Sequence, residues 1–576
     1  MSNISVIIVK NSWGTVMRNI VVVEAISTGY NLIEDIVQRG YNPIVVNVRN
    51  TAGVYNSHRD IYKNFKHLST VVDELEDYDK TLEMIRGFDP VLVVPGSEAG
   101  VVLATMLADD LGLPGNPKSI IPQMTCKDKM HEALMNAGIR YIRGKVVNSV
   151  EEATEYCALE GITAAVVKPM QSAGSNGLHL CDTAEEVIEA VKELLTMEDY
   201  CGRPITSALI QERIYGTEYI VNTASCNGEH KLNSILRYAK KKTHEGGYVY
   251  DYSETIGKLE PGHAEMVEYA FKVADAIGYK YGLIHGEYMI DDKGPVLIEV
   301  NCRPMGASMP AEYLDKIFGH HETDCLLDCF LYPEKFKEDR EKPYRPVRKG
   351  VLKMIIIPED SDIENHPLWE VGKQLRSTFK IAAGEEYQNV FYPKTRDLET
   401  NGGIIYLLHD DESVVNSDLK LLRQIEKNYF QLLLNDGMSR RWVKDQDDPD
   451  FSYEKIIEQY GCKGSILIAS DDEVGMEGVC NVTPDTLYDA NPGFDYVIIG
   501  YQNTIISLNE AQCLKLMFDT LNLVRPGGKV LIPENAWKYF SYNRHGAEEI
   551  LIIKGFTIEP PLPWQHNMVI GTHDII

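Results

Sequence analysis

Oxygen-bearing side chains recur on two predicted strands that a short turn joins within residues 285–301. Glu287 and Glu299 fall on neighbouring strands, and the alternation of a strand places Glu299, Asn301 and Arg303 on one face. Two carboxylates and an amide that leave room for water and phosphate suit Mg²⁺. An arginine forks onto a carboxylate or an acyl phosphate. A structural salt-bridge cluster is the alternative, although a polar face between apolar strands is costly without a ligand.

A lysine ends another apolar strand. Residues 165–168 are Ala-Val-Val-Lys, and residues 170–177 form a loop rich in small residues. The Lys168 ammonium would lie beside backbone N–H groups that can wrap closely around phosphate oxygens. The alternative, a solvent-exposed hairpin, does not explain a lysine at the end of an otherwise buried strand. We therefore predict a phosphate site here.

Two further lysines, Lys127 and Lys129, open a predicted helix that runs to Gly138. Side chains two positions apart on a helix cannot share a face, so at most one of them points inward. We favour Lys129 as the inward lysine. The competing interpretation is that both are exposed, which is common for lysines at the start of a helix.

Two acidic residues, Glu212 and Glu218, flank a turn between predicted strands. Main-chain groups from Gln211 to Ile214 could pair with the edge of an adenine, while one of the two carboxylates takes ribose hydroxyls. A hairpin with exposed acids is the alternative. Together the four elements provide what a phosphoryl-transfer site needs: phosphate positioning, a base pocket, metal ligands and a cation for developing charge.

The composition limits the classes of partner. The chain has 576 residues, enough for three or four domains, and 44% hydrophobic and 25% charged residues are typical of a folded protein. Asp and Glu number 85 against 57 Lys and Arg, a net charge of −28, so the average surface repels nucleic acid. Eleven cysteines without paired spacing indicate free thiols rather than disulfides or a zinc site.

The N-terminal residues contain no basic leader, and no stretch approaches 18 apolar residues without a polar interruption. Such a chain is typical of a cytoplasmic protein without a membrane span. We therefore expect a cytoplasmic location and no membrane partner.

Short apolar runs alternate with helical patterns over residues 1–120, which predicts an open α/β layer. One run, residues 89–96, leads into a turn with Ser97 and Glu98, before a helix that begins at Val101. Such turns lie at the carboxyl end of a strand, where these sheets place ligands, so Glu98 would point toward a crevice. The alternative is that Ser97 and Glu98 only cap the helix.

The four elements, in this order, resemble the ATP-grasp superfamily, in which an α/β domain precedes two lobes that hold ATP between antiparallel sheets. The match covers about residues 1–440. The string H-G-E-Y-M-I that ends at Ile290, followed by G-P-V-L-I-E-V-N-C-R-P-M-G, looks most like the branch of L-amino-acid ligases and carnosine synthases. The resemblance implies an α/β and α+β multidomain fold. Its expected parts are an α/β domain (1–120), an ATP-grasp domain (121–345, with an ATP lobe at 121–220 and a metal and substrate lobe at 221–345) and a small α/β subdomain (346–445).

The resemblance also implies roles for individual residues. Lys129 and Lys168 would contact the ATP phosphates under a closing loop, Glu218 would meet the ribose, and Lys168 and Arg303 would act in catalysis. The basic residues 236–242 fall where the branch has a mobile loop near the γ-phosphate, or form only a solvated charge run. The implied metal ligands are Glu287, Glu299 and Asn301, the substrate contacts are Arg303, His285 and Glu98, and the remaining nucleotide contacts are Ser172, Gly174, Ser175, Gly177, Gln211, Glu212 and Ile214.

The tail, residues 451–576, resembles the second half of a class I S-adenosylmethionine methyltransferase, with strands near residues 466–469, 496–499 and 529–532. After the first of these strands comes Ser470, with three acidic residues behind it, where a G-x-G turn is expected. The Gly-rich helix start that would receive the cofactor's carboxylate is therefore missing. We expect a shortened, Rossmann-like and non-catalytic module that serves docking or oligomerisation.

The family chemistry predicts a ligase that uses ATP and Mg²⁺, with Mn²⁺ as a substitute, to activate a carboxylate as an acyl phosphate and join it to an amine. The expected partners are small-molecule carboxylate and amine substrates, with an amino acid among them, and a homodimer, since dimers are common in the family. No side-chain nucleophile is required, and Cys302 should face away from the site. Two other classes stay open: a phosphotransferase that stops at the phosphorylated product, and a nucleotide-binding interaction protein.

Overall fold

A computed structural model describes residues 17–49, 59–66, 68, 70–170, 177–197, 204–242, 248–357, 367–382, 394–396, 400–435, 452–471, 474–501, 510–533, 548, 551–552, 554–559 and 568–573. The chain divides into two compact units. The first comprises Met1–Met354, Thr395–Asn401 and Leu407–Val415, and the second comprises Ile355–Lys394, Gly402–Tyr406 and Asn416–Ile576. Across the described segments, no helix is long and apolar enough to cross a membrane. Nine of the cysteines in these segments are free thiols: Cys126, Cys157, Cys181, Cys226, Cys302, Cys325, Cys329, Cys462 and Cys480.

The predicted open α/β layer begins the first unit. Four parallel strands have the order β3-β2-β1-β4. The strands β2 and β3 follow β1 on one side and β4 lies on its other side, so the order of strand addition reverses between β1 and β4. Ligands of such sheets bind at the carboxyl ends of the strands that flank this reversal. The elements are β1 (Asn19–Val23), α1 (Asn31–Gln38), β2 (Asn42–Asn47), β3 (Thr70–Asp73), α2 (Tyr78–Gly87), β4 (Pro90–Pro95) and α3 (Val101–Asp110).

Two glycines let the turns after β1 and β4 touch at this edge. A Cβ atom added to Gly29 would lie 2.0 Å from the carbonyl oxygen of Gly96. Because that distance is far below van der Waals contact, only glycine permits the two backbones to approach this closely. The carboxyl ends of the two strands therefore form one continuous edge.

A second layer is a four-stranded antiparallel sheet of order β5-β8-β6-β7. Two helices, α6 and α7, cover this sheet. Their N-cap residues are Ser149 and Thr183, whose hydroxyls accept N–H groups of the first turn. The elements are α4 (Ile121–Thr125), α5 (Lys127–Asn136), β5 (Gly144–Val147), α6 (Val150–Glu160), β6 (Ala165–Pro169), β7 (His179–Cys181), α7 (Ala184–Leu194) and β8 (Ala208–Glu212).

The largest sheet of the first unit carries the predicted metal and substrate residues. Within this unit its antiparallel strands have the order β13-β12-β9-β10-β11-β14. Helix α8 packs on one face, where Cys302 is buried in the core, so the prediction that this thiol faces away from the polar face is confirmed. The elements are β9 (Thr217–Cys226), β10 (Glu229–Lys242), β11 (Tyr248–Thr255), α8 (Pro261–Ala276), β12 (Gly282–Asp291), β13 (Gly294–Asn301) and β14 (Lys349–Met354).

Three helices, α9 (Ala311–Phe318), α10 (Glu322–Leu331) and α11 (Pro333–Arg340), follow β13. His321 precedes α10, and its imidazole lies between two carboxylates. Its Nδ1 is 2.8 Å from Asp315 Oδ1, and its Nε2 is 3.1 Å from both carboxylate oxygens of Asp35 on α1. Burial opposes the charge, but the two carboxylates raise the pKa of His321 to about 10. An imidazolium therefore joins α1 to α10.

Replacing His321 by glutamine is expected to destabilise the first unit by about 3 kcal/mol at pH 6, because it leaves the buried Asp35 carboxylate without its cation. The pKa of His321 is raised in the folded state above the usual value near 6.5. The stabilisation is therefore complete below about pH 6.5 and is lost as the pH rises toward 10. Urea unfolding of both proteins between pH 6 and pH 10 should show the difference shrinking with pH.

His320→Gln provides the matched control for this measurement. Burial lowers the pKa of His320 to about 4, so this imidazole is neutral between pH 6.5 and pH 10. Its replacement should cost the same stability across that range. A His321→Gln penalty that is equally independent of pH would contradict a charged His321.

The remaining elements include a six-stranded sheet of the second unit, with the order β18-β17-β19-β20-β22-β21. Its first four strands are parallel, and β22 is antiparallel to both of its neighbours. The three strands predicted in the tail are present as β17, β19 and β20. The elements are α12 (Pro367–Gln374), β15 (Thr378–Ala382), β16 (Ile404–His409), α13 (Glu412–Asn435), α14 (Tyr453–Gln459), β17 (Ile466–Ser470), β18 (Cys480–Val482), β19 (Phe494–Gly500), α15 (Glu510–Leu521), β20 (Val524–Pro533), β21 (Phe556–Ile558) and β22 (Met568–His573).

Candidate active site

The oxygen-bearing side chains of β12 and β13 meet on one face of the large sheet. Glu287 lies directly opposite Glu299, and His285 lies opposite Asn301. Residues that face each other across antiparallel strands project to the same side. The Asn301 amide donates to the His285 carbonyl oxygen at 3.4 Å, and His285 Nε2 lies 3.7 Å from Glu287 Oε1. The predicted arrangement of the two carboxylates and the amide on one face is confirmed.

Lys127, and not Lys129, points into this face. The Lys127 ammonium lies 2.7 Å from Glu299 Oε2, whereas Lys129 is half exposed and pairs with Glu132 on its own helix at 2.7 Å. The prediction that Lys129 is the inward lysine is therefore wrong. The reason is helical periodicity, because buried positions recur every three or four residues and position 129 falls between them. The buried residues of α5 are Lys127, Met130, His131 and Leu134.

The buried ion pair between Lys127 and Glu299 keeps both groups charged. Burial alone would lower the pKa of Lys127, but Glu299 raises it above its usual value. Burial alone would raise the pKa of Glu299, but Lys127 and then Lys168 outweigh it and lower that pKa. Removing either partner would leave an uncompensated charge in a region from which water is largely excluded.

Lys168 ends β6 and is buried, with 5% of its surface exposed. Burial, assisted by the charge of Lys127, lowers the pKa of the Lys168 ammonium to about 8, while the carboxylates of Glu299 and Glu287 act in the opposite direction. The alternative of a solvent-exposed hairpin is therefore wrong for this lysine. Lys168 lies in the same polar region as the carboxylates.

The small-residue loop after β6 lies largely outside the described residues, and this applies to the predicted contacts Ser172, Gly174 and Ser175. Gly177 is described and has a φ of +71°, a conformation that favours glycine. The phosphate contacts of all four residues stay predictions.

Glu218 joins the polar face from β9. Ile220, two positions along the strand, lies opposite Glu287, so alternation puts Glu218 on the side of Glu287. The Glu218 Oε2 lies 2.7 Å from the Lys240 ammonium, and burial raises the pKa of the Glu218 carboxyl. Lys240 also lies over the ring of Tyr250, 4.4 Å from its centroid.

The end of β8 and the turn that follows it contain the residues predicted to meet an adenine. Gln211 is buried, Ile214 is half-buried, and the N–H of Glu212 donates to the Arg143 carbonyl oxygen at 2.9 Å. The Glu212 carboxylate pairs with the exposed Arg143 guanidinium at 3.1 Å. Of the two acids that flank this turn, Glu218 therefore belongs to the polar face. Its contact with ribose, and the adenine contacts of the turn, stay predictions.

Arg303 and Glu98 meet across the ends of two strands. The Arg303 Nε lies 3.3 Å from Glu98 Oε2, and Arg303 also donates to the Pro304 carbonyl oxygen at 3.0 Å. Ser97 makes no side-chain capping hydrogen bond, so the helix-cap alternative does not apply to it. Burial raises the pKa of Glu98, while Arg303 acts against that shift. Glu98 thus faces Arg303 beyond the carboxyl end of β4, and its contact with a substrate stays a prediction.

The donor set fits Mg²⁺. Glu287 and Glu299 face each other, and Asn301 follows on the same face. Among the described residues, no group of three or more His, Cys, Asp and Glu side chains could hold a metal ion. A site with two carboxylates and one amide suits Mg²⁺, because this ion keeps several waters and takes further oxygens from phosphates. Four cations and four anions line the whole region: Lys127, Lys168, Lys240, Arg303, Glu98, Glu218, Glu287 and Glu299.

Three residues of the site were not predicted from the sequence as site residues. Lys127 carried a usable signal, since Met130 and Leu134 mark the buried face of α5. Lys240 was included only within a basic run. Asn222 accepts a hydrogen bond from His285 Nδ1 at 2.8 Å, which fixes the imidazole, and no sequence signal singled it out.

A family profile described as "ATP-grasp domain" matches residues 162–312. Two curated relatives are named as a synthase and a ligase. Dapdiamide A synthase from Enterobacter agglomerans is 25% identical over 442 residues, which cover 76% of this chain and 99% of the relative. Alanine–anticapsin ligase from Bacillus subtilis (strain 168) is 23% identical over 361 residues, which cover 52% of this chain and 74% of the relative.

Two solved structures each cover 71% of the chain. An L-amino acid ligase from Bacillus licheniformis has a TM-score of 0.54 at 18% identity and covers 71% of this chain and 97% of its own. A carboxyaminoimidazole ribonucleotide synthase from Aspergillus clavatus, complexed with ATP, has a TM-score of 0.53 at 13% identity and covers 71% and 98%. At such identities the likeness establishes the fold.

Proposed function

We propose that the chain, which matches the ATP-grasp domain over residues 162–312, is a carboxylate–amine ligase that joins an amino acid to a second small molecule through an acyl phosphate. A carboxylate oxygen of one substrate attacks the γ-phosphorus of ATP, and ADP leaves. The amine nitrogen of the other substrate then attacks the acyl carbon, loses a proton and expels inorganic phosphate. The observation that carries the proposal is the single polar face on which Lys127, Glu287, Glu299 and Arg303 converge.

Each group on this face has a task in that reaction. Lys127 and Lys168 neutralise the charge that spreads over the phosphate oxygens at transfer. Glu287, Glu299 and Asn301 would hold Mg²⁺, which supplies Lewis-acid stabilisation of the same charge. Because Glu299 would then serve the metal, Lys127, its partner at 2.7 Å, would be left to neutralise a phosphate oxygen.

The substrate side is formed by Arg303, Glu98 and His285. The planar guanidinium of Arg303 offers two parallel donors to a carboxylate or an acyl phosphate. The Glu98 carboxylate, which pairs with Arg303 at 3.3 Å, would be free to accept an ammonium group once Arg303 turns to the substrate. A substrate with both charges, such as an amino acid, satisfies both residues.

The test measures phosphate release from ATP and Mg²⁺ across amino acids supplied singly and in pairs, with the products identified by mass. Release that requires one particular pair, with a condensed product, would support the ligase and name its substrates. Hydroxylamine should replace the amine and yield a hydroxamate, because it attacks the same acyl carbon. A phosphorylated carboxylate that accumulates in solution, with no condensed product whichever amine is supplied, would instead indicate a phosphotransferase.

Arg303→Ala is expected to raise the KM of the carboxylate substrate by about 100-fold or more and to leave the KM of ATP within about twofold, because the guanidinium contacts only the substrate side. Arg303→Lys keeps the charge but not the two parallel donors, so it should recover only part of the loss. Steady-state kinetics with each substrate varied in turn will decide. Equal losses for ATP and the carboxylate would argue for a purely structural arginine.

We propose that the second unit is a methyltransferase-like, non-catalytic module, and its six-stranded sheet, in which β22 is antiparallel to both of its neighbours, supports this proposal. The Asn481 amide donates to Ser470 Oγ at 2.9 Å and to the Ile468 carbonyl oxygen at 3.0 Å, and its Oδ1 accepts the Val474 N–H at 2.9 Å. These bonds fill the carboxyl edge of β17 and β18, where a cofactor would lie. Equilibrium dialysis with S-adenosylmethionine should detect no binding, and stoichiometric binding would refute the proposal.

The remaining expectations concern domains, assembly and location. We propose domain boundaries at about residues 120, 345 and 445–451. We further propose that the protein is a cytoplasmic homodimer, with docking through the second unit. Light scattering of the full chain and of a chain that ends near residue 445 would test whether the mass of the assembly depends on the part of the second unit beyond that residue.

A further inference from the structure

A short segment after β1 holds the loop that follows Arg303. Thr28 lies in the 3₁₀ turn Ser27–Tyr30 and is buried, with 1% of its surface exposed. Its hydroxyl donates to the carbonyl oxygen of Gly306 at 3.0 Å and accepts the N–H of Met309 at 2.9 Å. A single side chain therefore binds both ends of residues 306–309, which are about 280 positions away in sequence.

Neighbours of Thr28 strengthen this attachment. Ser27 Oγ accepts the N–H of Ser308 at 3.1 Å, and Asn31 Nδ2 donates to the Met309 carbonyl oxygen at 2.9 Å. The Tyr30 hydroxyl donates to the Ser308 carbonyl oxygen at 3.3 Å. The backbone between residues 306 and 309 is thus bound from one side by five hydrogen bonds, which four side chains of the segment after β1 make.

The opposite end of the loop is fixed by α10. The Glu322 carboxylate accepts the N–H of Met305 at 2.6 Å, and Glu322 is buried. Arg303 lies two residues before this contact and, through Glu98, lies against the turn after β4. The loop is therefore attached to three elements: the segment after β1, α10 and the turn after β4.

The backbone conformation of the loop requires such attachment. Ala307 and Ser308 have φ values of +65° and +49°, and Ser27 on the opposing segment has +53°. Residues with a Cβ atom adopt this region at a cost of about 1–3 kcal/mol each, and it persists only where the surroundings over-determine it. Two of these residues, Ser27 and Ser308, are joined by a hydrogen bond, and Ala307 precedes Ser308. Such a group of strained residues indicates a conformation that serves a function.

We infer that Thr28 is a positioning residue that holds residues 305–309, and through them Arg303, in the geometry that receives the carboxylate substrate. The inference rests on the proposed function, because it assigns the held geometry to substrate binding. Thr28 touches no reacting atom. Its hydroxyl acts by making the loop rigid, so that the cost of ordering is met before the substrate arrives.

Thr28→Val preserves the shape of the side chain and removes the hydroxyl, whereas Thr28→Ser preserves the hydroxyl. The valine variant should raise the KM of the carboxylate substrate by about tenfold and lower kcat, with the KM of ATP within about twofold, because Arg303 loses its fixed position. The serine variant should restore wild-type values. Equal KM changes for ATP and the carboxylate in the valine variant, or an unchanged KM for the carboxylate, would overturn the inference.

Hydrogen exchange separates this inference from the proposed function. Exchange at the Met309 amide should become at least about tenfold faster in Thr28→Val and stay unchanged in Thr28→Ser, whether or not the chain is a ligase. Tyr30→Phe removes only the 3.3 Å contact to Ser308, so it should shift exchange and KM in the same direction by a smaller factor, even if the valine variant does not fold. Unchanged exchange in both Thr28→Val and Tyr30→Phe would refute the positioning role. A wild-type protein without amine-dependent turnover would refute the proposed function alone.

Discussion

Lys127→Ala lowers kcat by about 10²–10³-fold, and Lys129→Ala leaves it within about twofold, if the ion pair with Glu299 marks the lysine that serves the phosphates. The two lysines lie two residues apart on α5, so the pair of variants compares an inward and an outward cation at nearly the same place in the chain. Lys127 is buried against Glu299 at 2.7 Å, whereas Lys129 is half exposed beside Glu132. An exposed helical ion pair contributes little to stability or catalysis.

Steady-state turnover with saturating substrates measures the difference, and the thermal unfolding midpoint of each variant checks that the fold is intact. Lys127→Arg keeps a cation but places it on a longer, planar group, so it should recover only part of the activity. The assignment would fail if Lys129→Ala proved as damaging as Lys127→Ala, or if Lys127→Ala retained wild-type turnover.

The strand residues were predictable because their geometry depends on a period of two. Strand alternation alone places Glu299 and Asn301 on one face. Glu287 lies opposite Glu299 only because the register shifts by one residue between Glu287 and Tyr288. The boundary at Val101 follows from the apolar run and the turn before it, and the helix begins at that residue. Local sequence therefore determines the face of Glu299 and Asn301 and the start of this helix, but it does not determine the register shift that brings Glu287 beside them.

The whole of α5, and not the two lysines alone, determines which lysine points inward. Spacing alone shows that Lys127 and Lys129 cannot share a face, but it does not choose between them. The choice follows from Met130 and Leu134, whose apolar side chains identify the buried face and place Lys127 upon it. The pattern of the two lysines is therefore ambiguous unless the apolar positions of the whole helix are included.

Other parts of the site depend on tertiary pairing and were not accessible from the sequence. Lys240 reaches Glu218 only because β9 pairs with β10 in one particular register. The contact between Thr28 and Gly306 joins residues that are 278 positions apart, and no local pattern announces it. Long-range register, rather than residue type, decided these positions.

Glu299→Gln is expected to lower kcat by about 10²–10³-fold, because the amide keeps the size of the side chain but cannot balance Lys127 or bind a metal as a carboxylate does. Turnover should also need more Mg²⁺ than in the wild type, since one of two charged ligands is lost. A Mg²⁺ titration of kcat measures both effects. Glu132→Gln, which removes an exposed acid from α5, serves as the matched control and should behave as the wild type.

The double variant Lys127→Ala with Glu299→Gln extends this prediction to the pair. If the two residues act in one phosphate and metal assembly, the double variant should lose about as much activity as the worse single variant, because each single change already disables the shared unit. Its stability should exceed that of Glu299→Gln alone, since no unpaired Lys127 charge stays buried beside the amide. Multiplicative losses in kcat would show instead that the two groups act independently, and wild-type turnover in Glu299→Gln would remove the metal assignment.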